Sequence, residues 1–252
     1  MTTVDPITVV PLYIEVSNDG KTAIGNGTGF IISKGGKSYL FTNKHVVTGR
    51  YPDTNGIISK TGAVDFPYIL IWYHAKDRLG MWYQVSQEIR DNDTGVPYWI
   101  GHPTNQEYDV VAVPLNVPEN VTLFPLDMSL SETDLVVYPS EPMSIVGFPF
   151  GRVSDGKFPI WKTGHLASDM DINYGSKPVF LIDAMTKEGM SGSPVMARRI
   201  GMVTTSRGVE LGKNGTKFLG IYAGRLNYED DKDINIGRVW KAETIKEILE
   251  KL

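Results

Sequence analysis

The sequence lacks cysteine altogether, and it contains only four histidines among its 252 residues. Without cysteine the chain cannot form disulfide bonds, and the scattered histidines do not form a zinc-binding cluster. Secreted proteins of this size usually carry disulfides, so the absence of cysteine favours a reducing compartment. The start of the chain, residues 1–6, also lacks the basic and apolar regions of a signal peptide. We therefore expect a cytoplasmic location and no metal site.

Long hydrophobic runs and blocks of basic residues are missing as well. No stretch approaches the roughly 20 apolar residues that a membrane-spanning helix requires. The formal net charge is −4, with 25 Lys and Arg against 29 Asp and Glu, so neither nucleic acid nor an anionic membrane is an expected partner. The hydrophobic share of 41% is typical of a globular chain, and the length of 252 residues is at the upper edge of what a single core supports.

The most informative motif that is present is Gly-x-Ser-Gly-x-Pro, at residues 189–194. A serine hydroxyl becomes a nucleophile when the backbone exposes it and a neighbouring base takes its proton. Glycines beside Ser191 allow the unusual backbone angles and close substrate approach that this requires. The N–H groups of Gly189 and Ser191 could then stabilise an oxyanion together. The alternative interpretation of this motif is an ordinary Gly/Ser/Pro turn between two strands.

Two further segments contain residues that would complete a nucleophilic site. Apolar runs at residues 27–33 and 39–47 are separated by Lys-Gly-Gly-Lys, which predicts a β-hairpin with His45 where the second run ends. Asp109 opens the apolar run 110–115. A buried aspartate needs a partner, and an imidazole N–H is a suitable one. Taken singly, His45 could be merely structural or exposed, and Asp109 could be a turn residue.

Together these segments resemble the trypsin-like serine peptidases of the chymotrypsin fold. The order His45, Asp109, Ser191 along the chain is the order of that family. The motifs are most similar to those of the Deg, or high-temperature-requirement, branch, without an appended PDZ module. This closer similarity involves four segments, namely residues 145–151, 163–168, 181–184 and 218–225.

The resemblance implies an all-β fold with two six-stranded antiparallel β-barrels and a C-terminal α-helix. We expect a single peptidase domain over residues 1–252, in which residues 1–123 form the N-terminal barrel with His45 and Asp109. Residues 124–134 would cross over to a C-terminal barrel at 135–240 that carries Ser191. The helix expected at 241–252 is also indicated by the sequence, because Ile245, Ile248, Leu249 and Leu252 repeat at helical spacing.

The resemblance also implies roles for individual residues. His45, Asp109 and Ser191 would be the catalytic triad, and no cofactor would be needed. Met185 would lie at the floor of the pocket for the residue before the scissile bond, which favours an apolar side chain there. The acidic residues Glu229, Asp230, Asp231 and Asp233 offer the opposite expectation, a basic side chain. The substrate-binding residues are expected to be Met185, Thr186, Ile221, Tyr222, Ala223 and Gly224.

Two further features leave alternatives open. Met190 stands where digestive enzymes of the family have an aspartate that pairs with a newly cut N-terminus, so activation by N-terminal trimming is not expected.

An aromatic-rich stretch at residues 51–102 predicts a hairpin, because apolar residues alternate at 69–73 and 81–85. The alternative interpretation is a surface that holds extended polypeptide.

The expected function is therefore that of a serine endopeptidase acting on polypeptides through an acyl-enzyme. The alternative is an inactive peptidase fold that binds peptides or acts as a scaffold. An esterase of another fold is disfavoured, because the Ser, Asp, His order of such enzymes is reversed here. The sequence does not predict an oligomeric state.

Overall fold

A computed structural model describes residues 4–59, 61–226 and 235–252 of the chain. The acidic run with Glu229, Asp230, Asp231 and Asp233 lies outside the described residues. The described chain is mainly β, with one closed barrel, a second large sheet and a C-terminal helix. This confirms the expected all-β double-barrel fold.

The N-terminal lobe is one antiparallel sheet of eight strands, rather than the six expected. Its strands are β1 (Pro11–Ser17), β2 (Ala23–Lys34), β3 (Lys37–Thr42), β4 (Tyr68–Ala75), β5 (Trp82–Glu88), β6 (Ile100–Gly101), β7 (Val111–Pro114) and β8 (Val121–Thr122). They pair in the order β5-β4-β1-β2-β3-β7-β6, and β8 pairs with β4. The aromatic-rich stretch forms the predicted hairpin, since β4 pairs with β5.

The predicted hairpin at residues 27–47 is also present, as strands β2 and β3. Phe30 lies opposite Phe41 and Ile31 opposite Leu40, and all four side chains are buried. Apolar and aromatic residues of this kind suit a pleated strand whose faces are covered. Helix α1 (Lys44–Thr48) follows β3 almost directly and ends at Gly49, whose φ of 67° closes its last turn. The hairpin thereby fixes where α1 begins.

The C-terminal lobe is a closed barrel of six strands, as expected. These are β9 (Pro142–Gly147), β10 (Ile160–Leu166), β11 (Val179–Asp183), β12 (Pro194–Arg199), β15 (Gly215–Arg225) and β16 (Ile236–Lys241). They close in the order β10-β11-β16-β15-β12-β9. A separate two-stranded sheet consists of β13 (Met202–Thr205) and β14 (Gly208–Leu211). The domain boundaries expected from the sequence stay a prediction.

Helix α2 (Ala242–Glu250) lies where the sequence predicted a helix, but it packs at the junction of the two lobes. Its buried residues Ile245 and Ile248 belong to a core cluster that includes Phe30 of the first lobe and Phe218 of the second. Its Glu247 hydrogen-bonds His102 of the first lobe. Helix α2 therefore joins the two lobes.

Within the part of the chain that the structure describes, helices are too short or too polar to cross a lipid bilayer.

Candidate active site

The three residues singled out in the sequence line one cavity of about 320 Å³. His45 comes from α1, Asp109 from the segment before β7, and Ser191 from the loop before β12. The first two therefore belong to the first lobe and Ser191 to the second. The cavity is also lined by Tyr51, Pro52, Ile58, Thr186, Lys187, Glu188, Tyr222, Ala223, Gly224, Arg225 and Arg238.

His45 and Asp109 form a close pair with two contacts. The ring atom Nδ1 of His45 lies 2.6 Å from Oδ2 of Asp109, and the backbone N–H of His45 donates to Oδ1 over 2.9 Å. Asp109 is 5% exposed, and an ionised carboxylate can only accept hydrogen bonds. The pair therefore favours the tautomer with a proton on Nδ1, which leaves Nε2 free to accept one.

The local fold explains how this pair is positioned. His45 lies in α1, one residue after its start, rather than at the end of a strand as the sequence suggested. The buried side chain of Asn43, just before α1, donates to the carbonyl oxygen of Asp109 over 2.7 Å. The end of β3 is thus tied to the segment before β7, and β7 itself pairs with β3. Both catalytic candidates are consequently fixed by one region of the first sheet.

The loop that carries Ser191 depends on two glycines with positive φ. Gly189 has φ +89° and Gly192 has φ +87°, a region that residues with side chains rarely adopt. At Gly192 a Cβ atom would lie only 1.8 Å from the carbonyl oxygen of Thr28. The loop is held by hydrogen bonds from Gly192 N–H to Tyr222 O, 2.9 Å, and from Thr28 N–H to Ser191 O, 2.8 Å. The glycine-rich motif therefore permits the close approach of the two lobes.

The backbone donors at this loop remain available. Among the described residues, neither the N–H of Gly189 nor that of Ser191 has a hydrogen-bond acceptor. Two unoccupied N–H groups beside a serine can bind the oxyanion of an attacked carbonyl. The Ser191 hydroxyl faces Gly224, at which an added Cβ would lie 3.9 Å from it. The Ser191 hydroxyl makes no hydrogen bond to His45 in this structure. Ser191 and His45 therefore line the same cavity without being bonded to each other.

Met190 contributes an apolar anchor to the same loop. Its side chain is completely buried in the core cluster of the second barrel, with Ile182 and Val195 among its members. Burial of a methionine of this size stabilises the loop by about 2 kcal/mol. The position that carries an ion pair in digestive enzymes is therefore held here by packing.

The predicted substrate-binding residues divide into two groups. Thr186, Tyr222, Ala223 and Gly224 line the cavity. Met185 does not: its side chain is 58% exposed, while its neighbours Ala184 and Thr186 are buried. The N–H of Thr186 donates to the carbonyl oxygen of Ala184 over 2.8 Å, so the chain turns tightly at Met185, whose side chain faces solvent while Thr186 points inward. Ile221 is likewise outside the cavity, because it is fully buried in the core.

The inner part of the cavity is polar rather than apolar. The hydroxyl groups of Thr186 and Tyr222 hydrogen-bond each other. Burial raises the pKa of Tyr222 to about 12, against smaller lowering effects from this bond and from Arg225 and Arg238. Neither arginine was predicted to be a site residue. The sequence feature that could have indicated them is a charged residue within an otherwise apolar strand or at its end.

Comparisons with known proteins agree with this architecture. A family model described as a trypsin-like peptidase domain matches residues 27–203. The active form of the Rv3671c protease from M. tuberculosis is similar over 97% of this chain and 81% of that one, with 17% identity and a TM-score of 0.52. An inactive form of the same protease has 18% identity, coverages of 98% and 89%, and a TM-score of 0.46. No curated protein matches significantly.

Proposed function

Because the chain belongs to the family of trypsin-like peptidase domains, we propose that it is a serine endopeptidase with Ser191, His45 and Asp109 as its catalytic triad. The observation that carries the proposal is the His45–Asp109 pair, 2.6 Å apart, in the cavity that also contains Ser191. Two N–H groups beside Ser191, which have no acceptor within the described ranges of the chain, support it further. The sequence motifs favour the Deg branch of the family.

In the proposed reaction, Ser191 Oγ attacks the carbonyl carbon of a peptide bond while His45 Nε2 takes the hydroxyl proton. The resulting oxyanion accepts hydrogen bonds from the N–H groups of Gly189 and Ser191. One such donor is typically worth about 3–4 kcal/mol in the transition state. His45 then gives its proton to the leaving amine as the C–N bond breaks, and an acyl-enzyme remains. Water, deprotonated by His45, hydrolyses the ester and regenerates Ser191.

The proposed reaction requires a hydrogen bond between the Ser191 hydroxyl and His45 that this structure does not contain. Catalytic hydrogen bonds are often long or unformed without substrate and tighten in the Michaelis complex. The backbone on both sides of Ser191 is already fixed, through Thr28 and Tyr222. Side-chain rotation, which passes between staggered rotamers on a fast timescale, is therefore the movement that we propose brings the two groups together.

A fluorophosphonate probe tests the proposal, since it labels only an activated serine hydroxyl. We expect the unmodified protein to be labelled and Ser191→Ala to remain unlabelled, with peptide turnover lowered about a millionfold. Ser193→Ala is the matched control, because Ser193 belongs to the same loop but is fully buried. Its hydroxyl has no hydrogen-bond partner among the described residues, so its removal should leave labelling intact.

Two results would contradict the proposal. One is an absence of labelling in the unmodified protein under conditions that label other serine peptidases, which would favour an inactive peptide-binding fold. The other is equal labelling of the unmodified protein and Ser191→Ala. If labelling succeeds, mapping of new peptide termini in a proteome treated with each form identifies the cleaved bonds.

A further inference from the structure

The charged side chains of the cavity differ in depth. Lys187 and Glu188 both line the cavity and are exposed. Arg225 and Arg238 are half-buried and come from the paired strands β15 and β16. The deeper part of the cavity therefore carries two positive charges.

Neither arginine forms an ion pair with a carboxylate in the described part of the chain, and the Nε atom of Arg238 is buried there without a hydrogen-bond acceptor. Arg238 also borders a neighbouring cavity lined by Asp53, Glu107 and Asp109, so only Arg225 is confined to the cavity of Ser191. Asp109, the other carboxylate of the cavity, already accepts two hydrogen bonds from His45. Removing a cation from water without a partner costs free energy, which a carboxylate entering the cavity would offset.

Both arginines act on the polar inner part of the cavity. Both arginines line the cavity together with Tyr222, and their charges lower the pKa of its hydroxyl against the larger raising effect of burial. That hydroxyl is bonded to Thr186, so two hydroxyl groups and two cations surround the same space. Hydroxyl donors and guanidinium groups are the usual partners of a carboxylate in proteins.

The structure removes the basis of the apolar preference, and the two arginines oppose a basic one, although the acidic run on which the basic preference rested lies outside the described residues. The apolar preference rested on Met185 at the pocket floor, and Met185 is exposed outside the cavity. A basic side chain would enter a space that already contains Arg225 and Arg238. Like charges in a partly desolvated cavity repel, so this occupant is disfavoured.

We propose that the cavity selects substrates with an acidic residue, Glu or Asp, immediately before the scissile bond, and that Arg225 and Arg238 determine this specificity. The inference rests on the proposed function, because it assumes that Ser191 attacks the carbonyl of that residue. The side chain on the acyl side is then the one closest to Ser191. Its carboxylate meets the Thr186 and Tyr222 hydroxyls and the field of both arginines.

The test uses matched peptides that differ only in the residue before the cleaved bond, with Glu, Gln, Leu or Arg there. Glu and Gln have the same shape, so their ratio of kcat/KM isolates the charge. We expect Glu to be favoured over Gln by at least about tenfold, and Arg to be cleaved most slowly. Arg225→Gln and Arg238→Gln should each reduce the Glu/Gln ratio by about fivefold or more.

The control is Arg207→Gln, which removes the same charge from an 80% exposed side chain of the same lobe, outside the cavity. It should leave the Glu/Gln ratio within about twofold. A second measurement uses only the unmodified protein and so does not depend on whether the variants fold. Added salt should reduce kcat/KM for the Glu peptide more than kcat/KM for the Gln peptide. A preference for Leu or Arg, or a Glu/Gln ratio unchanged in both cavity variants, would overturn the proposal.

Binding of the same peptides to Ser191→Ala, measured by fluorescence anisotropy, separates this proposal from the proposed function. Tighter binding of the Glu peptide supports the acidic specificity even if the fluorophosphonate probe fails to label the protein. Equal binding of Glu and Gln peptides, together with normal labelling of unmodified protein, rejects the specificity and leaves the peptidase function intact.

Discussion

The hydroxyl of Thr28 donates a hydrogen bond to the carbonyl oxygen of Gly189, 2.9 Å away and 161 positions later in the chain. Thr28 is fully buried in β2 of the first lobe, whereas Gly189 belongs to the nucleophile loop of the second. The backbone N–H of the same threonine donates to the carbonyl oxygen of Ser191. One residue of the first sheet therefore helps to set the conformation of the loop that contains the proposed nucleophile and oxyanion donors.

Replacing Thr28 by valine should weaken this connection between the lobes. Valine keeps the shape but leaves the buried Gly189 carbonyl without its donor, which typically costs about 1–3 kcal/mol. We expect a lower free energy of unfolding in urea and a slower rate of fluorophosphonate labelling. Thr28→Ser retains the hydroxyl and is the control. Equal labelling rates for the valine and serine variants would show that the hydrogen bond does not position the loop.

The backbone of the nucleophile loop gives a second prediction. Gly192→Ala introduces a Cβ atom 1.8 Å from the carbonyl oxygen of Thr28, in addition to the strain of its positive φ. Gly212→Ala has a similar φ of +74° but open space around the new atom. The control should lose about 1–2 kcal/mol from backbone strain alone. We expect Gly192→Ala to lose distinctly more stability and all probe labelling, measured by urea denaturation and by gel fluorescence.

The His45–Asp109 pair supports a third prediction. Asp109→Asn replaces one acceptor oxygen by an NH₂ group, which cannot accept the proton on His45 Nδ1. The imidazole would then favour the tautomer that cannot take the Ser191 proton, and kcat should fall by about 10⁴-fold. Peptide hydrolysis measured near neutral pH checks this. Asp134→Asn, at an exposed ion pair with Arg207, should leave kcat unchanged. A kcat for Asp109→Asn close to that of the unmodified protein would exclude the proposed role.

Several features of the fold could be predicted from the sequence because they are local. The hairpin of β2 and β3 follows from two apolar runs around a Gly-Gly turn, and α2 follows from apolar residues at helical spacing. Strands β6 and β8 could not be predicted, since two residues are too few to show a period. The position of His45 in α1 was missed for the same reason, because α1 has only five residues.

The composition of the cavity depended on long-range geometry that the sequence does not contain. The chain makes a tight turn at Met185, after the end of β11, and the spacing of residues does not show which side chain of such a turn meets the cavity. Counting back from Ser191 selected Met185, whereas Thr186 lies inside. Arg238 enters the cavity through the pairing of β15 with β16, in which the register shifts between Tyr222 and Arg225. An irregularity of this kind cannot be located from the spacing of apolar residues.

His74 gives a fourth prediction, which concerns stability rather than catalysis. Its ring is buried in β4, with Nε2 bonded to the carbonyl oxygen of Val9 and the rings of Trp82, Phe124 and Phe158 nearby. Within the described residues, Nδ1 has no hydrogen-bond partner. Because Nε2 must donate to a carbonyl, a second proton would have to bind at Nδ1, where nothing accepts it. Burial accordingly lowers the pKa of His74 from its ordinary value.

The sign of the pH effect follows from this lowered pKa. The unfolded chain binds a proton at His74 near pH 6.5, whereas the folded chain resists it, so the unfolded state binds more protons as the pH falls. The contribution of His74 to stability is therefore complete above about pH 6.5 and is lost progressively below it. Urea denaturation between pH 5 and 8 should show this decline. His74→Phe keeps the aromatic packing but cannot titrate, so its decline should be shallower. A slope as steep as that of the unmodified protein would assign the acid sensitivity to other groups.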